Sequence, residues 1–322
     1  MTKSAVTAHQ QLKAGKYPAL TLSTGCLNGD GDEDILSAVS QAVTAVKRTE
    51  GTPPAAFAWF VMGSAGRGEH LPGSDQDHGL VYDQDDEEIQ RYFLALGREI
   101  SAQLEQKGFP LCIGQVMSSN PRWCRSLSGW DLQLQEWLME GGWEALRYLL
   151  IFMDARTLVG DAQLVYDLRE RVYSYCAQNP AILLRLWENT AWLKKGLGLF
   201  GQFLTEEKGP HAGAINLKET GLFPYINAAR LLAIRESVHE TSTVLRLERL
   251  YAHALYGWLE TYQACFKRLM AYRQRAGVTN HPGYIRVTDL SREEKKELKH
   301  LIRKGAELYR RTGQWLKRGI VW

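Results

Sequence analysis

The sequence predicts an α+β fold, in which a small sheet with its own helices is followed by an α-helical bundle. In the first part of the chain, short apolar runs typical of buried strands alternate with segments whose apolar residues recur at helical spacing. From about residue 179 onward, long amphipathic helical segments replace these strand-like runs. With 322 residues and a hydrophobic content of 45%, the chain is long enough to form two domains.

Three strands are predicted for the sheet. They are the runs Phe57–Met62, Gly79–Tyr82 and Leu111–Met117. Each is short and apolar, and turn residues separate it from its neighbours. The order strand, strand, helix, strand predicts a small sheet that is covered by helices.

Two helices are predicted around these strands. The first starts with Asp32 as its N-cap and ends before Gly51, ahead of a pair of prolines. The second is introduced by Asp85 and Asp86 and ends at Gly108. Its apolar residues form one stripe, which we expect to be core: Ile89, Tyr92, Phe93, Leu96, Ile100 and Leu104.

The rest of the chain is predicted to be a helical bundle. The first broad apolar set of this part is Ile182, Leu183, Leu186, Ala191, Leu193, Leu197, Leu199, Phe200 and Phe203. The last helix carries a capping box, Ser291 with Glu294, and its exposed face mixes lysines with glutamates. We therefore expect that face to be a solvated surface and not a site for RNA.

A glycine-rich segment after the first predicted strand is the strongest indication of function. It reads Gly-Ser-Ala-Gly-Arg-Gly-Glu over 63–69, and Ser-Asp-Gln-Asp follows over 74–77. Glycines allow a tight turn that aims backbone N–H groups and the Ser64 hydroxyl at an anion. Asp75 and Asp77 can share one face of an extended chain and reach one cation, which suits Mg²⁺ beside a phosphate. The alternative is an ordinary turn with solvated aspartates.

The order Gly-Ser, Gly-Arg-x-Glu, Ser-Asp-x-Asp resembles the signature of the DNA polymerase β-type nucleotidyltransferase superfamily. Within it, the chain is most similar to the signal-transduction nucleotidyltransferases that share their catalytic domain type with the PII-protein uridylyltransferase. The later segments that carry this resemblance are Cys112–Pro121, Phe152–Arg156 and Asn216–Pro224. The resemblance spans roughly residues 34–275.

The resemblance implies a two-domain enzyme of bacterial type. A nucleotidyltransferase domain with a small mixed sheet is expected over 34–165, and a helical domain of the substrate-binding type over 166–322, after an N-terminal extension over 1–33. The implied reaction moves an NMP from an NTP, UTP or ATP, to a protein or small-molecule acceptor, as uridylyltransferases and adenylyltransferases do. Relatives often carry CBS and cyclic-nucleotide-binding domains, and we expect none here.

The resemblance also implies roles for individual residues. Asp75 and Asp77 are the expected catalytic residues and the ligands of Mg²⁺ or Mn²⁺. The residues expected to bind the nucleotide are Gly63, Ser64, Arg67, Ser74 and Lys218. Arg67 could instead pair with Glu69 to brace the turn, because an arginine–carboxylate pair is a common structural device. Glu69 is expected to be a brace and not a ligand.

Two further features leave alternatives open. His78 follows Asp77 directly and is expected to point away from it along a strand, which favours a structural role. The basic, glycine-rich segment 208–218 could cover the nucleotide or bind the acceptor through His211, Asn216 and Lys218, or it could simply connect two helices.

The sequence departs from the superfamily pattern at one point. Many members carry a third carboxylate on a later strand, and the predicted strand Leu111–Met117 contains no Asp or Glu. Asp131 and Asp154 are the nearest later candidates, although Asp154 could pair with Arg156 or cap a helix. Two hypotheses therefore stand: an active transferase, and a nucleotide-binding regulatory or scaffolding protein with little turnover. A third hypothesis is a transferase of the antibiotic-modifying type. It predicts an acidic pocket for the acceptor.

Composition and charge narrow the class of partners. The net charge is +3 and no basic block stands alone, so neither nucleic acid nor an anionic membrane is the expected partner. The five cysteines are scattered and lack Cys-x-x-Cys spacing, which predicts reduced thiols. Without a signal-peptide or membrane-spanning run, the cytoplasm is the expected location. The expected partners are the NTP and its acceptor, and an apolar face of the bundle could serve a homodimer.

Overall fold

The computed structural model of the chain describes residues 32–277 and 283–318. They form two compact units. The first comprises the described part of Met1–His70 with Asp75–Leu134 and Asp154–Arg169, and the second comprises Leu71–Ser74, Gln135–Met153 and the described part of Glu170–Trp322. The first unit holds a small sheet and the second is mainly helical, so the predicted α+β fold is confirmed. Nearly all of the predicted N-terminal extension lies outside the described residues, as does Cys26.

Four strands build the sheet of the first unit. They are β1 (Phe57–Val61), β2 (His78–Tyr82), β3 (Cys124–Ser126) and β4 (Arg156–Gly160). Their order is β3-β2-β1-β4; β1 pairs antiparallel with β2 and β4, and β2 pairs parallel with β3. The expected mixed sheet is therefore present. Strand β1 lies inside the sheet and all of its residues are buried, as its uninterrupted apolar sequence predicts.

Helices cover both faces of this sheet. On one face, α1 (Asp32–Glu50) and α3 (Glu87–Gln106) pack against alternate residues of β1 and β2. Asp86 caps α3 as predicted, because its carboxylate accepts the first free backbone N–H groups of that helix. A short helical turn, α2 (Gly63–Gly66), follows β1, and α4 (Leu127–Glu140) follows β3 and packs a tryptophan against the other face of the sheet.

The predicted third strand, Leu111–Met117, is wrong. This segment makes a turn, in which the Gln115 N–H donates to the Cys112 carbonyl oxygen at 2.9 Å, and Gln115 has a φ of 55°. An extended strand cannot contain such a left-handed residue. The strand of the sheet is instead β3, whose apolar signal is too short to be recognised in the sequence.

The second unit is built mainly from helices. Along the chain after α4 come α5 (Trp143–Phe152), α6 (Ala162–Gln178), which starts in the first unit, α7 (Ala181–Asn189), α8 (Phe223–Arg235), α9 (Thr243–Tyr251), α10 (Glu260–Gly277) and α11 (Arg292–Arg318). A π-helical turn, Lys218–Leu222, leads into α8, and the short strands β5 (Ala214–Asn216) and β6 (Tyr284–Arg286) pair with each other. Short 3-10 turns at Pro121–Trp123, Ala254–Leu259 and Val287–Asp289 complete the described elements. The helices from α8 to α11 enclose one apolar core, as predicted for a bundle.

The start of α11 confirms the predicted capping box. The Ser291 hydroxyl accepts from the Glu294 N–H at 3.1 Å, and the Glu294 carboxylate accepts from the Ser291 N–H at 2.8 Å. These two reciprocal bonds satisfy backbone donors that a helix start would leave free.

The first predicted apolar set of the bundle is only partly helical. Helix α7 ends at Asn189, and the chain beyond it is irregular up to β5, with Leu199 98% and Phe200 96% exposed. Three glycines lie between 196 and 201, and Gly201 has a φ of 74°, which a regular helix does not allow. The apolar residues here recur at helical spacing, but the glycines between them disfavour a helix.

Two predictions about the whole chain can be compared with the described residues. None of the helices in this part of the chain is long and apolar enough to cross a membrane. The four described cysteines are free and buried, as expected for reduced thiols: Cys112, Cys124, Cys176 and Cys265.

Candidate active site

The pairing of β1 with β2 places the glycine-rich segment beside the aspartate pair. Val61 and His78 are partners in the antiparallel ladder, and next to them the Met62 N–H donates to the Asp77 carbonyl oxygen at 2.7 Å. Gly63 leaves β1 at the same end of the sheet at which Asp77 enters β2. The structure therefore brings these two predicted site residues together.

Gly63 is in direct contact with the Asp77 carboxylate. A Cβ atom added to Gly63 would lie 2.2 Å from Oδ2 of Asp77, so the carboxylate or the turn would have to shift. Gly63 also has a φ of 54°, in the left-handed region that favours glycine. Two features therefore favour glycine at this position: the left-handed backbone, and the Asp77 carboxylate in its observed place.

Asp75, Asp77 and Cys112 form a group of potential metal ligands. One ligand atom of each residue lies within 4.8 Å of the other two. The two aspartates are half-buried and Cys112 is buried. Burial raises the pKa of the Cys112 thiol to about 11, and the charge of Asp77 adds to this effect. The carboxylate oxygens are the ligand type that Mg²⁺ and Mn²⁺ prefer.

Cys112 is a member of this group that the sequence did not indicate. It lies in the segment predicted to be a strand, and that segment contains no Asp or Glu. The available signal was its position at the start of Cys112–Pro121, a segment that carries the family resemblance.

A buried network holds the loop that carries the two aspartates. Gln76, between them, donates through its amide to the carbonyl oxygens of Ser101 and Phe109 at 3.0 and 2.9 Å. The Ser118 N–H donates to Nδ1 of His78 at 3.1 Å, so Nε2 carries the ring proton and donates to Oε1 of Gln76 at 3.0 Å. His78 thus has the structural role that the sequence predicted.

His78 should make the protein less stable in acid. Burial lowers the pKa of His78 from 6.5 to about 3, so the folded state stays unprotonated where the unfolded state takes up a proton. The stability that His78 contributes is complete above pH 6.5 and is lost as pH falls towards 3, at about 1.4 kcal/mol per pH unit. Urea unfolding between pH 6.5 and pH 5 should therefore show a loss in wild type that exceeds the loss in His78→Gln by about 2 kcal/mol. Equal losses in the two proteins would contradict this assignment.

Arg67 is held between two carboxylates inside the first unit. Its Nε donates to Glu69 at 2.7 Å and its Nη1 donates to Asp154 at 2.6 Å, and Arg67 itself is only 5% exposed. Burial disfavours the charged guanidinium, but the charges of Glu69 and Asp154 outweigh this effect and raise the pKa of Arg67. This geometry supports the bracing role of Arg67 over the alternative in which it clamps a phosphate.

A second arginine ties α1 to the motif. Arg156 forms a bidentate pair with Asp32, with both N···O distances at 2.9 Å, and also donates to the carbonyl oxygen of Ala65 at 2.8 Å. These contacts add partners that the sequence did not indicate for Asp154 and Asp32. Asp154 pairs with Arg67, and Asp32 lies in the first turn of α1, where its carboxylate binds Arg156.

The structure places the other predicted nucleotide-binding residues as follows. Ser64 is buried in α2 next to Gly63. The hydroxyl oxygen of Ser74 accepts from the Leu71 N–H at 2.9 Å and so closes a turn before Asp75. Lys218 lies in the second unit, where it begins the π-helical turn.

The basic segment 208–218 borders a cavity in the second unit. The cavity has a volume of about 370 Å³, and its walls include His211, Tyr272, Arg275, Tyr284 and Arg286. The rings of His211 and Tyr284 are stacked, with centroids 3.8 Å apart. Asn216 donates to the Tyr284 hydroxyl at 3.2 Å. The segment contributes Pro210, His211 and Ala214 to the cavity wall, and the tyrosines and arginines of the wall come from later parts of the chain.

Comparison with known protein families gives two matches. A family model described as "Putative nucleotidyltransferase DUF294" matches residues 35–144, and one described as "Putative nucleotidyltransferase substrate binding domain" matches residues 180–315. The first match contains the glycine-rich segment, the aspartate pair and Cys112. A search of curated proteins returned no match.

Proposed function

The chain belongs to the family of putative nucleotidyltransferases that these two models describe, and from this premise we propose that it transfers an NMP from an NTP to a protein or small-molecule acceptor, with Mg²⁺ or Mn²⁺ as cofactor. The observation that carries the proposal is the contact between Gly63 and the Asp77 carboxylate, beside Asp75. It supports a site in which a turn that binds phosphate and a pair of metal-binding carboxylates form one unit. UTP and ATP are the candidate donors.

The donor set fits a hard divalent cation. Asp75 and Asp77 offer carboxylate oxygens close together, and both side chains are accessible from solvent. When bound there, such a cation would neutralise phosphate charge and favour ionisation of the attacking hydroxyl group. The two aspartates would hold the cation, and the backbone of Gly63 and Ser64 would lie against the phosphates. Arg67 and Arg156 would position this turn without touching the substrate.

We place recognition of the acceptor in the second unit. The cavity beside segment 208–218 supports this, because its volume of about 370 Å³ lies within the range of small-molecule sites. The match of this region to a substrate-binding domain points the same way. Aromatic walls with two arginines would suit an acceptor that has a flat ring and an acidic group.

One observation favours a second candidate function. The group around Asp75 and Asp77 contains a thiol, and no third carboxylate is part of it among the described residues. Asp154, one of the candidates from the sequence, is bound to Arg67. A protein that binds the nucleotide and turns it over slowly, in a regulatory or scaffolding role, would fit this arrangement.

Calorimetric titration with ATP, UTP, GTP and CTP, with and without Mg²⁺, tests the proposal. We expect Mg²⁺-dependent binding of at least one NTP, weakened roughly tenfold or more in Asp77→Asn, since loss of a ligand typically costs at least that much affinity for the cation. Asp83→Asn is the matched control, because Asp83 is exposed and follows β2. If no NTP binds wild type at millimolar concentration, the proposal fails. Binding without release of pyrophosphate, in the presence of candidate acceptors, would favour the regulatory function.

A further inference from the structure

We propose that Cys112 is a third metal ligand of the Asp75–Asp77 centre, and that this centre binds thiophilic divalent cations such as Zn²⁺ and Co²⁺ more tightly than Mg²⁺. The proposal rests on the proposed function for the existence of a metal centre between the two aspartates. It goes further by assigning the protein a selectivity among metals, set by one side chain outside the glycine-rich segment and the aspartate pair.

The thiol is directed at the aspartates. Its sulfur atom lies within 4.8 Å of one oxygen of each carboxylate. Cys112 is only 6% exposed, so the sulfur is held in place and faces the carboxylates, unlike a free surface cysteine.

Backbone hydrogen bonds fix the Cys112 segment against the loop of the aspartates on both sides of the thiol. Before Cys112, the Pro110 carbonyl oxygen accepts from the Gln76 N–H at 3.0 Å. After it, the Val116 carbonyl oxygen accepts from the His78 N–H at 3.0 Å. Between these two bonds the chain makes the turn at Gln115, whose left-handed conformation is imposed on a residue other than glycine. The position of the thiol is therefore built by the fold.

The chemistry of this donor set differs from that of a pair of carboxylates alone. Mg²⁺ accepts oxygen ligands and gains little from sulfur, whereas Zn²⁺ and Co²⁺ bind thiolates well. Three protein ligands also leave coordination positions open for water or a phosphate oxygen, as in catalytic metal sites. We infer that a thiophilic cation would compete with Mg²⁺ here, so that the supply of such metals would regulate the transferase.

A titration with Co²⁺, followed by absorption, tests the proposal without measuring catalysis. Thiolate ligation should produce a sulfur-to-cobalt charge-transfer band in the near ultraviolet in wild type, and the band should be absent in Cys112→Ala and Cys112→Ser. Displacement of the bound Co²⁺ by Zn²⁺, and in a separate titration by Mg²⁺, gives the ratio of the affinities for Zn²⁺ and Mg²⁺. Loss of outer-shell partners alone costs about 10- to 100-fold in metal affinity, so removal of a direct ligand should lower the Zn²⁺ to Mg²⁺ ratio by at least that factor.

Cys176→Ala is the matched control, because Cys176 is also buried and free but is not in the cluster. It should keep the band and the ratio of wild type. A wild-type spectrum without the charge-transfer band, or an unchanged ratio in Cys112→Ala, would overturn the role of Cys112. Such a result would leave Mg²⁺-dependent NTP binding intact, whereas failure of the proposed function would abolish NTP binding whatever the cobalt spectrum shows.

Discussion

Replacing Arg67 by methionine is expected to destabilise the protein by about 3–5 kcal/mol, because it removes the guanidinium that two buried carboxylates share. Glu69 is 5% exposed and Asp154 is fully buried, at 2.7 and 2.6 Å from the guanidinium nitrogens. Water cannot replace the lost donor at such buried positions. Methionine keeps much of the length of the side chain, so the loss should come from charge and hydrogen bonding and not from a cavity.

The magnitude follows from an asymmetry of buried ion pairs. The net contribution of a complete buried pair is small, since desolvation offsets the attraction, but removal of one partner leaves an uncompensated charge. Replacing the two carboxylates as well, by Glu69→Gln and Asp154→Asn in the Arg67→Met background, should therefore recover part of the lost stability. Arg67→Lys should remain destabilising, because one ammonium group does not reproduce the fork that contacts both carboxylates.

Urea unfolding measures these changes, with Arg91→Met as the control. Arg91 pairs with Glu88 at 3.3 Å on the exposed face of α3, and its loss should cost less than about 1 kcal/mol. The alternative role of Arg67, in which it binds a phosphate, predicts a different result. If Arg67 clamps a phosphate, Arg67→Met would weaken NTP binding by tenfold or more while the free energy of unfolding changes little.

The parts of the site that the sequence predicts are those whose geometry is local. Gly63 follows an apolar strand, and Asp75 and Asp77 precede another, so the pairing of two adjacent strands is enough to bring them together. The fold class could be predicted for a similar reason, because strand-like and helical periodicities occupy different parts of the chain.

The parts that the sequence did not predict depend on contacts between distant segments. For Asp154 the sequence suggested a pair with its neighbour Arg156 or a helix cap. In the structure Asp154 binds Arg67 and Arg156 binds Asp32, and both partners lie far away in the chain. Proximity in sequence does not decide such pairs, because packing of β4 beside β1 brings several charges within reach. Cys112 was missed for a related reason. Its segment is apolar enough to resemble a strand, whereas in the structure it contains a turn at Gln115.

Gly63→Ala is expected to disrupt the site through a single methyl group. The added Cβ would lie 2.2 Å from Oδ2 of Asp77, so the carboxylate or the turn has to move. Such a shift would take a metal ligand out of its place beside Asp75. We therefore expect loss of Mg²⁺-dependent NTP binding close to that of Asp77→Asn, measured by the same calorimetric titration. The left-handed backbone adds a destabilisation of about 1–2 kcal/mol, measured by urea unfolding.

Gly51→Ala separates these two effects. Gly51 has a φ of 88°, and no atom lies within 4 Å of the position that its Cβ would take. It should lose a comparable amount of stability and keep full affinity for the NTP and Mg²⁺. If Gly63→Ala also binds the NTP as wild type does, Asp77 can leave its observed position at no cost to function. The contact between Gly63 and Asp77 would then be a feature of packing alone, and the strongest structural support for a nucleotidyltransferase site would be lost.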